Sequence, residues 1–142
     1  MIMPTKEITR VHPETGATLV RGVRKVVLNY RGQSETIDLP GWYPENDLTA
    51  DHGVHDAKDM QISDRAINRM RARLAGVMVA EEVREARRKL GLSQREAGLL
   101  IGGGPKGFQK YESGEVILSK IGDTALRLLS NEPSRISELK HT

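Results

Sequence analysis

Three consecutive glycines and a proline, Gly102-Gly103-Gly104-Pro105, interrupt an otherwise helical pattern, and no other feature restricts the fold of this chain more. A regular helix cannot run through such a stretch, because glycine gives up the most backbone entropy and proline brings no amide donor. The segments on either side are helical. Before the break, Ser93-Gln94-Arg95-Glu96 reads as a capping box, with Ser93 as N-cap and Glu96 three residues on. Ala97, Leu100 and Ile101 then fall at inward positions. After the break, Pro105 fits the first position of a new helix, where its missing N–H costs nothing. Phe108 and Tyr111 lie three apart on the buried side of that helix, and Ser113-Gly114 ends it. The expected product is two short helices around a tight turn.

If Phe108 and Tyr111 face inward, the second helix presents Pro105, Lys106, Gln109 and Lys110 outward. Two helices around a turn, the second with a polar outer face, suit a reader of the DNA major groove. Lys106 and Lys110 project together and can donate to guanine O6 or N7, while Gln109 can pair with adenine. Either lysine can instead hold a phosphate, which positions a protein without specifying sequence. Ser93, Gln94 and Arg95, at the start of the preceding helix, are placed for backbone phosphates, beside the free N–H groups of that helix terminus. The competing reading of each residue is a solvated helix side chain. Arg87, Arg88 and Lys89 divide between long-range attraction to DNA and support of their own helix C-terminus. A DNA reader is favoured over a nucleotide-binding loop, since the glycines lack the GxxxxGK[ST] spacing and follow a helix rather than a strand.

The rest of the chain is organised around this motif. Val83, Ala86 and Leu90 share a helix face that Gly91 stops. A final helix is expected to carry Ile121, Ala125, Leu128 and Leu129 inward. Upstream, Arg24 to Tyr30 and Ser34 to Leu39 read as a β-hairpin turned at Arg31-Gly32-Gln33 and ended by Pro40-Gly41, with Thr18 to Val20 as a third strand. Residues 44–61 read as a loop. A helix capped at Ser63 follows, with Ile67, Met70 and Leu74 on one face and Arg65, Arg69 and Arg73 as a basic stripe, closed by Gly76. The expected class is α+β: a small β-rich lobe over 1–50, a linker with one helix over 51–80, and an all-α helix-turn-helix domain over 81–142.

Here the motifs become specific. Gly91-Leu92-Ser93-Gln94 and Phe108-Gln109-Lys110-Tyr111-Glu112-Ser113-Gly114 resemble the Cro/C1-type helix-turn-helix family. With the GGG turn and the F-x-[RK]-Y-E-x-G run, the closer resemblance is to the MqsA (YgiT) family of antitoxins. His12-Pro13-Glu14-Thr15-Gly16, Tyr30-Arg31-Gly32 and Gly41-Trp42-Tyr43 extend it over nearly the whole chain. The resemblance implies a homodimer paired through the C-terminal domain, binding a palindromic double-stranded operator and repressing its own operon. It also implies an N-terminal lobe that docks against an mRNA-cleaving toxin. The family's two base-reading positions fall on Lys106 and Lys110, where the MqsA type has Asn and Arg. The change keeps donors but loses the bidentate fork, so a different operator is expected.

The larger departure concerns zinc. The family's two CxxC pairs would fall at Arg10 and Pro13, and at Pro44 and Asp47. The chain contains no cysteine. His12, His52 and His55 do not rebuild a tetrahedral site on a plausible spacing, and His52 and His55 with Asp51 or Asp56 read as a polar loop rather than an opportunistic ligand set. No metal or cofactor is expected. Loss of a structural zinc leaves the lobe to be held by other packing, held by a toxin, or partly disordered alone.

Composition trims the alternatives. A net charge of +3 permits a local basic face without arguing for one. With 4% aromatic residues and no recognisable catalytic set, an enzyme has little to stand on. No apolar leader follows the N-terminus and no run approaches a membrane span, so a cytoplasmic protein is expected. Two further readings stay open beside the antitoxin: a free-standing transcriptional regulator without a toxin, and a protein-interaction module that never touches DNA. Leu126, Leu129 and the chain end are candidate dimer contacts.

Overall fold

The computed structural model describes residues 9–140, so the first eight residues, where no leader is expected, and the chain end at 141–142 lie outside the described residues. The class is α+β, a three-stranded antiparallel sheet followed by helices. The chain falls into two compact units, divided after Ala66 inside the first long helix.

The N-terminal unit is built on one long hairpin. Strands β2 (Thr18–Tyr30) and β3 (Gln33–Pro44) pair from Leu19↔Pro44 to Tyr30↔Gln33. Arg31 and Gly32 both have positive φ, 45° and 83°, which is the twist a two-residue type I′ hairpin turn demands. The pleat puts Val26 opposite Ile37, and these pack with Leu28, Leu39 and Ala66. A two-residue strand β1 (Arg10–Val11) pairs with the start of β2.

Two expectations are corrected here. Thr18 to Val20 is not a separate strand but the opening of β2, and the third strand is β1. Pro40-Gly41 does not end β3, which continues to Pro44. A proline is tolerated because β3 lies at the sheet edge, where a missing N–H breaks no ladder bond. The following loop folds back along that edge: Trp42 and Val54 exchange N–H···O bonds of 2.8 and 2.9 Å, and the His55 ring meets the Pro40 carbonyl at 3.0 Å. The Pro40–Trp42 stretch of the edge is thereby covered.

Helix α1 spans Ala57–Ala75, so it starts six residues before the Ser63 cap expected from sequence. The start lies at Asp56, whose N–H donates to the Asp59 carboxylate three residues on, at 3.0 Å. Ser63 is a buried interior residue whose hydroxyl donates to the Met60 carbonyl. Met70 faces inward as expected, but Leu74 is half-exposed. Gly76, at φ 72°, ends the helix.

In the C-terminal unit, α2 (Ala80–Lys89), α3 (Gln94–Leu100), α4 (Gly107–Ser113) and α5 (Lys120–Asn131) enclose a core of Val83, Ala86, Leu90, Leu92, Ala97, Phe108, Leu118 and Leu126. A 3-10 turn at Pro133–Arg135 leads into α6 (Ile136–Lys140). The inward face of α5 differs from the expectation. Leu126 and Asp123 are buried and Ala125 and Leu129 partly so, whereas Ile121 is 82% and Leu128 65% exposed. Leu126 is therefore a core residue and not a dimer contact. No helix among the described residues is long and apolar enough to cross a membrane.

Candidate nucleic-acid interface and partner lobe

The two short helices meet through a backbone contact that only glycine permits. Gly98, buried in α3, has no room for a Cβ, because that atom would run into the Gly104 carbonyl. The same turn is closed by the N–H groups of Gly102 and Gly104, which both donate to the Gly98 carbonyl at 3.1 and 3.2 Å. Gly102, Gly103 and Gly104 all have positive φ, and the Tyr111 ring lies where a Gly103 side chain would project. The glycine run is thus an inter-helix turn of fixed geometry.

Capping fixes where α3 begins. Ser93 Oγ accepts the Glu96 N–H at 3.0 Å while Glu96 accepts the Ser93 N–H at 3.1 Å, the reciprocal box expected from sequence. Those bonds to Ser93 hold the Glu96 carboxyl below the usual carboxylate range. Helix α4 starts at Gly107, with Lys106 as its N-cap, so Pro105 precedes the helix instead of opening it. Gly114, at φ 80°, ends it, and its carbonyl with that of Glu115 accepts from the Asn68 amide at 2.8 and 3.1 Å.

The two faces of α4 separate cleanly. Phe108 is fully buried, with Tyr111 edge-on to it at 5.5 Å between ring centres. Pro105, Lys106, Gln109 and Lys110 are exposed. On the neighbouring helix terminus Ser93 and Arg95 are exposed and Gln94 is partly buried.

Sequence reasoning missed what anchors this face. Glu112, from the helix carrying the lysines, is 4% exposed and takes two 2.8 Å hydrogen bonds from the Arg87 guanidinium of α2. Arg87 also donates to the Leu92 carbonyl at 2.9 Å, in the segment entering α3. The bonds to Glu112 raise the Arg87 pKa further. One side chain thereby ties α2, α3 and α4 together, and Arg87 leaves the pool of cations open to DNA. A second buried acid, Asp123, accepts the Met78 N–H and the Arg127 guanidinium, both at 2.8 Å. Burial would raise its pKa, but those bonds prevail and hold it low. The spacing of Arg87 and Glu112, 25 residues apart, leaves no periodic trace in the sequence.

In the N-terminal unit, Arg10, Pro13, Pro44 and Asp47, where the resemblance would lead one to expect cysteines, have these surroundings. Arg10 lies against the Trp42 ring, 4.2 Å from its centre. Asp47 caps its own turn by accepting from Thr49. Pro44 is buried and Pro13 exposed. The buried His12 uses Nδ1 to accept the Glu14 and Thr15 N–H groups at 3.1 and 3.3 Å. No group of three or more His, Cys, Asp or Glu side chains among the described residues is arranged to hold a metal.

Similarity to known proteins extends over both units. The family model described as the antitoxin component of bacterial toxin-antitoxin systems, MqsA, matches residues 12–140. The chain is also 24% identical over 123 residues to Antitoxin MqsA of Escherichia coli strain K12, covering 86% of this chain and 92% of that protein.

Proposed function

The chain belongs to the MqsA family of antitoxins, components of bacterial toxin-antitoxin systems, and from that premise we propose that it represses its own operon by binding DNA through α4. The single observation that carries the DNA reading is the exposed row Lys106, Gln109 and Lys110 on a helix locked from behind by Phe108 and the Arg87–Glu112 pair. Preorganised donors on a rigid helix lose little entropy on entering a groove. Lys106, Gln109 and Lys110 address base edges, while Ser93, Gln94 and Arg95 hold the flanking backbone phosphates.

A palindromic operator is read by a two-fold protein. We assign the pairing surface to the outward face of α5, where exposed Ile121 and Leu128 form an apolar strip with the partly buried Ala125, Leu129 and Leu139. A strip of this kind costs solvation when left open and is covered by a second copy. The N-terminal lobe captures the toxin, a ribonuclease, and the complex acts in the cytoplasm.

Selection of bound sequences from random DNA, with identification of co-purifying protein, tests this reading. The expected result is a palindrome that recurs upstream of the chain's own gene, together with a stoichiometric small basic protein. Recovery of neither sequence preference nor partner contradicts it.

A further inference from the structure

The N-terminal lobe must be fastened by something, since a hairpin with a two-residue third strand buries too little surface to hold itself firmly. Where relatives are expected to use zinc, this chain offers no thiolate, its His12 and His55 rings make hydrogen bonds to backbone groups, and no three His, Asp or Glu side chains among the described residues are grouped to hold a metal. The geometry points to a replacement: we propose that a metal-free latch of Trp42, Arg10, Arg21, Asp56 and Asp59 closes the lobe, so that the lobe folds without zinc and without its partner.

The latch joins every element of the lobe. Arg10 comes from β1, Arg21 from β2, Trp42 from β3, Asp56 from the residue before α1, and Asp59 from its first turn. Arg21 grips Asp59 through two 2.9 Å hydrogen bonds, the planar fork that arginine makes with a carboxylate. Arg10 donates to Asp56 at 2.9 Å, and the Trp42 indole N–H donates to the other oxygen of Asp56 at 3.3 Å. Both guanidinium groups also lie against the Trp42 ring, at 4.2 and 5.3 Å from its centre. Two cations and two anions therefore balance around one aromatic ring, and the two arginine–aspartate links span 38 and 46 residues of chain.

Aromatic rings fill the space behind the latch. Tyr43 is fully buried, donates to the Leu39 carbonyl at 2.7 Å, and stands edge-on to His55 at 5.6 Å. Gly41 and Gly53 have no side chains because His55 and Tyr43 occupy that room.

Trp42 is the sole tryptophan of the chain, so its emission reports on this lobe alone. The test uses the full-length protein, purified without added metal, by elemental analysis and by Trp42 emission during thermal unfolding, with and without EDTA. The expected result is no stoichiometric zinc and a melting midpoint that EDTA leaves unchanged. Arg21→Ala should lower that midpoint by roughly 5 °C or more, while Arg21→Lys, which keeps the charge but loses the fork, should recover only part of it. If Arg21→Ala fails to fold, Arg10→Ala, whose contacts are more exposed, provides the graded version. One zinc per chain, an EDTA-induced red shift, or an unchanged midpoint in both alanine variants would overturn the latch.

Discussion

Arg87 and Glu112 face each other through two parallel hydrogen bonds of 2.8 Å in the interior of the C-terminal unit, with 1% of the Glu112 side chain reaching solvent. Breaking a buried pair strands the surviving charge, whereas removing both partners relieves the desolvation. Glu112→Ala should cost about 3–5 kcal/mol in urea unfolding followed by circular dichroism. The double change Arg87→Met with Glu112→Leu should recover most of that loss. Equal destabilisation by the single and double variants would show that the pair is not the anchor.

Gly98 supplies a second test of the same architecture. A methyl group there meets the Gly104 backbone, which cannot rotate away as a side chain would. Gly98→Ala is expected to destabilise the C-terminal unit by about 1–3 kcal/mol or more. It should also weaken DNA binding, by shifting α3 against α4. Gly91→Ala, at a positive φ with open space around it, should cost less. The order of the two melting temperatures is the measurement, and a reversed order would contradict the close approach of α3 to the glycine turn.

Much of this was legible from sequence because local chemistry announces itself. Ser93 and Glu96 form a box at a fixed spacing, Gly91 and Gly114 stop helices, and Phe108 and Tyr111 mark a buried face. What escaped depended on partners distant in sequence. Asp56 and Asp59 read as loop residues, yet their carboxylates are bound by Arg10 and Arg21 and they open α1. Pro40 read as a terminator because nothing local shows that β3 lies at an edge. On α5 the inward face turns on Asp123, a residue that patterning assigns to solvent until Arg127 and Met78 are seen to satisfy it.

Acid should open the N-terminal lobe. The Arg21 hydrogen bonds hold Asp59 down to about 2, below the usual carboxylate range, so its contribution is complete above the unfolded pKa and fades as pH falls through the folded one. Trp42 emission should therefore report constant stability from neutral pH to about pH 5, then a decline between about pH 4 and pH 2. Asp59→Asn should flatten that limb and lower stability at pH 7. A decline centred near pH 6 would contradict the assignment to Asp59.

The outward face of α5 makes a prediction about assembly. Ile121→Asp with Leu128→Asp should convert a dimer into a monomer in light scattering, since both side chains are exposed and neither supports the core. Specific DNA binding should weaken with it, because each half-site would be held by a separate molecule. A dimer that survives both changes would place the pairing surface elsewhere.

Phosphate binding and base reading should separate by their salt response. Arg95→Ala should weaken binding to all sequences alike and reduce the slope of log affinity against log salt by about one, the share of a single neutralised phosphate. A sequence-selective loss on Arg95→Ala would reassign it to base reading.

The most direct measurement is a gel shift at fixed salt, using DNA from upstream of the chain's own gene and a scrambled control. Wild-type protein should prefer the former, and Lys106→Ala with Lys110→Ala should lose that preference, with specific affinity falling at least ~100-fold and the melting temperature unchanged. Undiminished specific binding by the double variant would contradict the assignment of α4 as the reading helix.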